Sequence, residues 1–380
     1  MKILSSILEN NQEMNDDEPT ASSEEGSPHF VVSQLFRDAF ACHLYMLFSV
    51  MFFMESEAKI GSSIKTGGKN RADNHENDET VAMRAECANA MLEAAKAMGK
   101  NRNKLWKRGV ADDTVVGLPC RISYQMLESA TGVIARKAAS GDAAIAMIAT
   151  TVDSCDSLLG TIVAALVDML HSFEHMAVIC AEICCLVSDK PTNKLAVELI
   201  REIGRLDTND DTGKASGIKF VAPFINELAA CKPRIVLGNI SHILPHLNSE
   251  PYYLRSAIVT ALGHIVEHIG KSLKTMGNIQ VSEEEGDQTE ISRPTLEKSR
   301  GNLLDILEER THDVSSYTRS SVLKAWISLS HGGSIPVERV ISVTILAIDR
   351  LKDKTVIVRK QALQVRSPVC SLFSADFVLV

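Results

Sequence analysis

Three stretches of this sequence align with one another, and that repetition constrains the fold more than any single motif does. They are ISHILPHLNSEPYYLRSAIVTALGHIV (240–266), LLDILEERTHDVSSYTRSSVLKAWISL (303–329) and LAIDRLKDKTVIVRKQALQ (346–364). In each, a helical apolar pattern ends and a small polar residue follows (Asn248, Asp313, Asp353); six or seven residues later comes an arginine (Arg255, Arg319, Arg359). Aliphatic or small residues recur three and four positions beyond it, at Ile258 and Val259, Val322 and Leu323, Ala362 and Leu363. That spacing puts them on one helical face. A helix pair that cannot cover its own apolar face must stack on a copy of itself.

The spacing selects the repeat type. Arg319 and Arg359 are 40 positions apart, within the period of about 40 to 47 shared by HEAT and armadillo repeats. Arg255 and Arg319 are 64 apart, which falls to about 45 once the acidic stretch 276–294 is treated as an insertion. The turn Asp is expected to cap the second helix while the Arg hydrogen-bonds along the inner row, satisfying N–H groups that stacking would otherwise bury unpaired. The plainer alternative is that both are exposed charges. Either role is structural.

Elsewhere the chain reads as short helices at 80–98, 121–138, 142–152, 155–170, 174–187, 190–204, 218–230, 233–246, 251–269, 295–311, 314–329 and 337–351. No alternating strand or βαβ pattern interrupts them. Aromatics are only 5% of the 380 residues while Ala, Leu, Ile and Val abound, in keeping with helices packed by aliphatic side chains. The expected fold class is all-α: an α-solenoid of HEAT-type helical repeats with a disordered acidic N-terminus. The expected boundaries are the acidic segment 1–29, an N-terminal helical domain 30–190 with a flexible linker at 61–79, HEAT-type repeats over 191–364 carrying the insertion 276–294, and an atypical tail 365–380.

Charge narrows the function classes. A net charge of -8 argues against coating nucleic acid by bulk charge. Residues 1–30 and 276–294 hold most of the excess acid, and without them the rest sits near +2, so a local basic surface is compatible with the composition. Nine cysteines without a CxxC, scattered through apolar segments, read as reduced, buried thiols of a cytosolic or nuclear protein. The six-residue apolar run Ile3 to Leu8 is too short for a signal peptide. Ala39 to Met54 carries no formal charge over sixteen residues, short of the roughly 20 that a span needs, and reads as a helix buried between helices.

One cluster invites a binding role. Lys96, Lys100, Arg102, Lys104, Lys107 and Arg108 surround Trp106 with no acid from Ala97 to Ala111. Phosphates pair with such a cluster by releasing counterions, and a ring beside them can stack on an exposed base. A nuclear-import signal and a solvated interhelical loop are the alternatives. Three His pairs at i, i+4 (His171 with His175, His242 with His246, His264 with His268) lack the converging third and fourth ligands of a zinc site, so no metal is expected. Gly270-Lys271-Ser272 ends like a phosphate loop, but its first glycine would be Ile265. No catalytic motif or cofactor is indicated. Ser27-Pro28 and Ser367-Pro368 are candidate sites for proline-directed phosphorylation.

At NISHILPHLNSEPYYLRSAIVTALGHIV, HDVSSYTRSSVLKAWISL, RLKDKTVIVRKQALQ and the upstream VELIREIGRLDTNDDTGKASGIKFVAPFINELAACKPRIVLGNIS, the sequence resembles the condensin complex subunit 1 family, the HEAT-repeat regulatory subunits of condensin I. CHLYMLFSVMFFMESEA and the helices from Thr80 to Asp189 are similar to that family's N-terminal domain. The resemblance covers about residues 30 to 364. It implies a nuclear, chromosomal, non-catalytic scaffold that binds the kleisin subunit, contacts DNA and helps the SMC ATPase pair compact mitotic chromosomes, with no membrane and no small-molecule substrate involved. Three features depart from the family. Most downstream repeats are absent, residues 1–29 do not look like its usual start, and after Gln364 the last helix gives way to VRSPVCSLFSADFVLV, where Pro368 stops it. Another HEAT scaffold, a nuclear transport receptor or a phosphatase scaffold, is the alternative reading.

Overall fold

This computed structural model describes residues 46, 50, 74–105, 116–129, 139–189, 192–206, 215–250, 252–278 and 292–365. Every regular element among them is helical. In chain order they are α1 (Asn74–Leu105), α2 (Leu118–Ser129), α3 (Ala139–Ser154), α4 (Leu159–Ser172), α5 (Met176–Leu186), α6 (Lys194–Gly204), α7 (Ala215–Cys231), α8 (Pro233–Ile243), α9 (Tyr252–Asn278), α10 (Arg293–Arg310), α11 (Ser316–His331) and α12 (Val337–Arg350). Short 3₁₀ turns occupy Asp156–Leu158 and Leu244–Asn248, and a further helical segment runs over 356–365. The all-α, helical-repeat class read from the sequence is the observed one.

The helices fall into two compact units, one drawn from residues 1–169 and 182–195, the other from 170–181 and 196–380. In the first, α1 and α2 both pack on α3. The repeat -AxAMxxAAxAMG- gives α1 its seam: Ala88, Met91, Ala94, Ala95 and Met98 recur at three- and four-residue steps and are almost fully buried. Asn193 folds the loop after α5 back on that helix. Its buried Nδ2 donates to the carbonyl oxygens of Cys184 (2.6 Å) and Val187 (3.2 Å), closing the free end of α5.

In the second unit the second helices of consecutive pairs lie side by side, α7 against α9 and α9 against α11, while α10 backs onto α9. Being covered on several sides, α9 has a wide apolar face: Leu254, Ile258, Leu262, Ile265 and Ile269 have no exposed surface, nor do Val259, Ala261 and Val266. Gly263 makes one crossing close, since a Cβ there would lie 3.0 Å from the Ala325 Cβ of α11. The sequence reading ended this helix at 269, near Gly270. It continues to Asn278 because Gly270 is spent on close packing, not on stopping: an added Cβ would meet the Ser334 side chain at 2.7 Å.

The repeat alignment holds in the core with one exception. Ile258, Val259, Val322, Leu323 and Ala362 are buried, whereas Leu363 is 59% exposed. The helical segment 356–365 is the last described element, so the face carrying Leu363 meets no further described helix. The membrane-like stretch Ala39 to Met54 lies outside the described residues except for Met46 and Val50. Both are helical and more than half exposed, so these two positions do not share the burial expected of that segment. No single helix among the described residues is long and apolar enough to cross a membrane. The acidic segment 1–29, residues 61–73 of the linker read at 61–79, the central part of the insertion and the tail beyond 365 also lie outside the described residues; residues 74–79, read as part of that linker, are instead the first turns of α1.

Candidate functional site

The aligned turn and arginine positions form one continuous polar ladder within the second unit. Arg319 donates from Nε to Asp353 Oδ2 (2.8 Å) and from Nη2 to Asp353 Oδ1 (2.9 Å), a two-pronged grip on the next repeat. Its Nη1 turns back to the carbonyl oxygens of Asp313 (2.8 Å) and Val314 (2.9 Å) at the start of its own helix. Arg255 repeats the pattern one rung earlier, donating from Nε to Asp313 Oδ2 (3.1 Å) and from Nη1 to the Ser249 and Glu250 carbonyls. Arg359 makes the same backward bonds to Asp353 (2.7 Å) and Lys354 (3.0 Å).

The acids complete the arrangement. Asp313 Oδ1 accepts from the Ser315 N–H (2.8 Å), and Asp353 Oδ1 from the Thr355 N–H (2.9 Å) and hydroxyl (2.9 Å), so each caps the helix that follows. Both carboxylates are only 3% exposed and their arginine partners 12% and 13%. The reading of these residues as exposed charges is thereby excluded. The hydrogen bonds from Arg319, helped by Thr355, hold the Asp353 carboxyl well below the usual carboxylate range against the opposing pull of burial.

Asn248 stands where the aspartates stand in the later repeats and is held differently, its Oδ1 accepting from Arg310 Nη2 (2.9 Å) while Arg310 Nη1 donates to the Leu247 carbonyl (2.9 Å). Arg310, and Arg350 one repeat on, also approach Asp313 and Asp353 at 3.9 and 3.8 Å. Sequence reasoning missed this second arginine. Its signal is the identical spacing R-x-x-D-x5-R in Arg310, Asp313, Arg319 and in Arg350, Asp353, Arg359.

The basic cluster is only partly described. Helix α1 extends through Leu105, so Lys96, Lys100, Arg102 and Lys104 stand on a helix and not in a loop. Lys96, Lys100 and Lys104 follow one another at four-residue steps, which is one face of its backbone. Lys96 is exposed and pairs with Glu93 at 2.9 Å, so one of the six charges is already partly neutralised; Lys100 is exposed. Trp106, Lys107 and Arg108 lie outside the described residues.

Some histidines and thiols serve the core, but the burial expected of the cysteines is not uniform: Cys120, Cys155, Cys180 and Cys184 are buried, Cys87 and Cys185 are partly buried and Cys231 is exposed. His246 is buried, with Nε2 at 3.0 Å from the Ile203 carbonyl and Nδ1 at 3.3 Å from Ser249 Oγ. His175 packs beside the Phe173 ring, 5.7 Å between centroids. Burial, with Arg234 and Lys271 nearby, lowers the pKa of His268 and favours its neutral form. No group of three or more His, Cys, Asp or Glu converges among the described residues. Burial pushes the Cys120 thiol up to about 12 and raises Cys180 further, so neither is a nucleophile at neutral pH. Gly270-Lys271-Ser272 sits inside helix α9, which rules out a phosphate loop there.

A groove unforeseen in the sequence crosses α7, α9 and α11. Its space is about 270 Å³, and Lys219, Tyr253, Tyr317 and Lys324 stand along it. The Tyr252 ring stacks on Tyr317 (centroids 4.8 Å apart, planes at 18°) and lies 4.1 Å from Tyr253. The signal was present in the sequence: Tyr253 and Tyr317 each precede a ladder arginine by two positions.

Comparison with known proteins extends these observations. The family model described as "non-SMC mitotic condensation complex subunit 1, N-term" matches residues 1–161, a span that includes the acidic residues 1–29 set apart in the sequence reading. Condensin complex subunit 1 of Xenopus laevis is 29% identical over 281 residues, 72% of this chain and 19% of that protein. The chain is thus similar to condensin complex subunit 1 proteins. The Homo sapiens condensin complex subunit 1 gives 29% identity over 280 residues, 72% of this chain and 19% of its own length. The Arabidopsis thaliana condensin-1 complex subunit CAP-D2 is 27% identical over 324 residues, 85% of this chain and 22% of its own length. The chain thus spans about a fifth of the length of these condensin relatives.

Proposed function

We propose that this chain is a non-catalytic HEAT-repeat scaffold of the condensin complex, acting in mitotic chromosome condensation in the nucleus and on chromosomes, and residing in the cytoplasm in interphase. The observation that carries the reading is the similarity to condensin complex subunit 1 proteins over 72 to 85% of the chain. The ladder supports the scaffold part: polar groups that in an enzyme would face a substrate are here consumed in joining repeats. Stacked helix pairs of this kind offer long surfaces that hold an extended peptide or follow a duplex. In this reading the repeat surfaces dock the kleisin subunit and the SMC ATPase pair.

The test is co-purification. Affinity-tagged chain recovered from dividing cells is expected to bring down kleisin and SMC subunits in stoichiometric amounts. Recovery of nuclear transport or phosphatase components in their place would overturn the assignment.

DNA contact belongs to the same proposal and rests on Lys96, Lys100, Arg102, Lys104, Lys107 and Arg108. Affinity for duplex DNA is expected to fall steeply with salt, and reversing Lys104, Lys107 and Arg108 to Glu should weaken binding to all sequences alike, by about tenfold or more at moderate salt. Electrophoretic mobility shifts on unrelated duplexes measure it. Unchanged affinity in the triple variant removes the cluster from the interface.

A further inference from the structure

The groove across α7, α9 and α11 is a property of the repeat register. Counted from the ladder arginines, Tyr253 and Tyr317 occupy equivalent positions, as do Ser256 and Ser320, then Ala257 and Ser321, then Thr260 and Lys324. Large rings therefore recur at one position while small side chains recur at the next two, leaving a trough floored by small residues and walled by tyrosines. At the helical segment 356–365 the first position is Ile357, which still borders the space, and the next two are Lys360 and Gln361, whose length ends the trough.

Its chemistry is one-sided. Lys219 and Lys324 are exposed, and among the described residues no carboxylate lines the space. The Tyr253 and Tyr317 rings are 41% and 55% exposed. A hydrogen bond with Tyr253, reinforced by the neighbouring phenols, pushes Tyr252 up to about 12, so its hydroxyl stays neutral at physiological pH. Pro223, inside α7 and lining the groove, has no N–H to give the Lys219 carbonyl four residues back. Cations, phenolic groups and a trough floored by small, mostly hydroxyl-bearing side chains together suit a peptide better than a nucleic acid. The Tyr252 and Tyr317 faces are stacked on each other and are not free to receive a base.

We propose that this groove binds an extended acidic peptide segment, with an aliphatic or aromatic side chain seated on the small-residue floor beside the tyrosines and flanking carboxylates meeting Lys219 and Lys324. Unlike the condensin assignment, it depends only on the second unit's own side chains, so purified chain tests it whatever complex the protein joins. The probe is a fluorescein-labelled peptide of sequence Glu-Asp-Leu-Phe-Asp-Glu, titrated with the full chain and followed by fluorescence anisotropy. Saturable binding is expected, weakened at least about tenfold when Leu-Phe is replaced by Ser-Ser and by a similar factor in the Lys219→Glu/Lys324→Glu variant. Ser321→Trp should fill the trough and abolish binding, while Lys298→Glu/Lys352→Glu, an equal charge change elsewhere on the surface, should leave it intact. Circular dichroism melting identifies any variant that fails to fold, and the two lysine variants change exposed side chains only. The proposal is overturned by absence of saturable binding, by equal loss in both double-lysine variants, or by tighter binding of a fluorescein-labelled dT12 oligonucleotide than of the peptide.

Discussion

Replacing Asp353 with Ala is expected to lower the unfolding free energy of the second unit by about 3 kcal/mol, because it strands a buried arginine. Arg319 would lose both prongs of its grip at 2.8 and 2.9 Å, and helix 356–365 would lose its cap at Thr355. Asp353→Asn keeps an acceptor for the cap and a neutral partner for Arg319, so its cost should be smaller, about 1 to 2 kcal/mol. Urea unfolding followed by circular dichroism and tryptophan fluorescence measures both. The pH dependence supplies an internal check. The folded carboxyl sits below its unfolded value of about 4, so the contribution is fully present above that value and is lost as pH falls through the depressed folded pKa. The gap between wild type and Asp353→Ala should therefore be constant from pH 7 to about 5 and narrow below about 4. A gap that widens in acid would contradict the ladder as the source of the stability.

Trp326→Ala should cost more, about 3 to 5 kcal/mol, since Trp326 is 1% exposed and the largest fully buried side chain described. Trp326→Phe is expected to cost far less than the lost volume suggests. The indole Nε1 is buried without a hydrogen-bond partner, a penalty of about 1 to 3 kcal/mol that phenylalanine does not carry. As a contrast, Tyr317→Ala, at a position 55% exposed, should change stability by under about 1 kcal/mol. The same urea titrations rank the three, and a Trp326→Phe cost equal to that of Trp326→Ala would show that the indole N–H is satisfied after all.

Much of the fold was readable because helix-forming periodicity is local. The apolar steps of α10 and α11 and the turn between them stand in the sequence almost as they stand in space: α10 was placed at 295–311 and runs over 293–310, and α11 was placed at 314–329 and runs over 316–331. Boundaries slipped where a glycine has a tertiary use, as at Gly270 in α9 and at Gly99 in α1, where an added Cβ would lie 2.8 Å from the Ser154 side chain. The stretch read as helix 121–138 is observed as Leu118–Ser129, and residues 130–138 lie outside the described ones.

The amino-acid sequence by itself determined that this protein is a stack of helix pairs with an Asp and Arg rhythm, because helical period, turn residues and repeat length are all short-range signals. Only the tertiary structure decided what that rhythm joins. Arg319 meets Asp353, 34 positions away, and Arg255 meets Asp313 across 58, and no local pattern states which arginine faces which acid. The groove was settled at the same level. Tyr253 and Tyr317 are 64 residues apart in the chain, and only the side-by-side packing of α9 and α11 sets them along one trough with a lysine at either side.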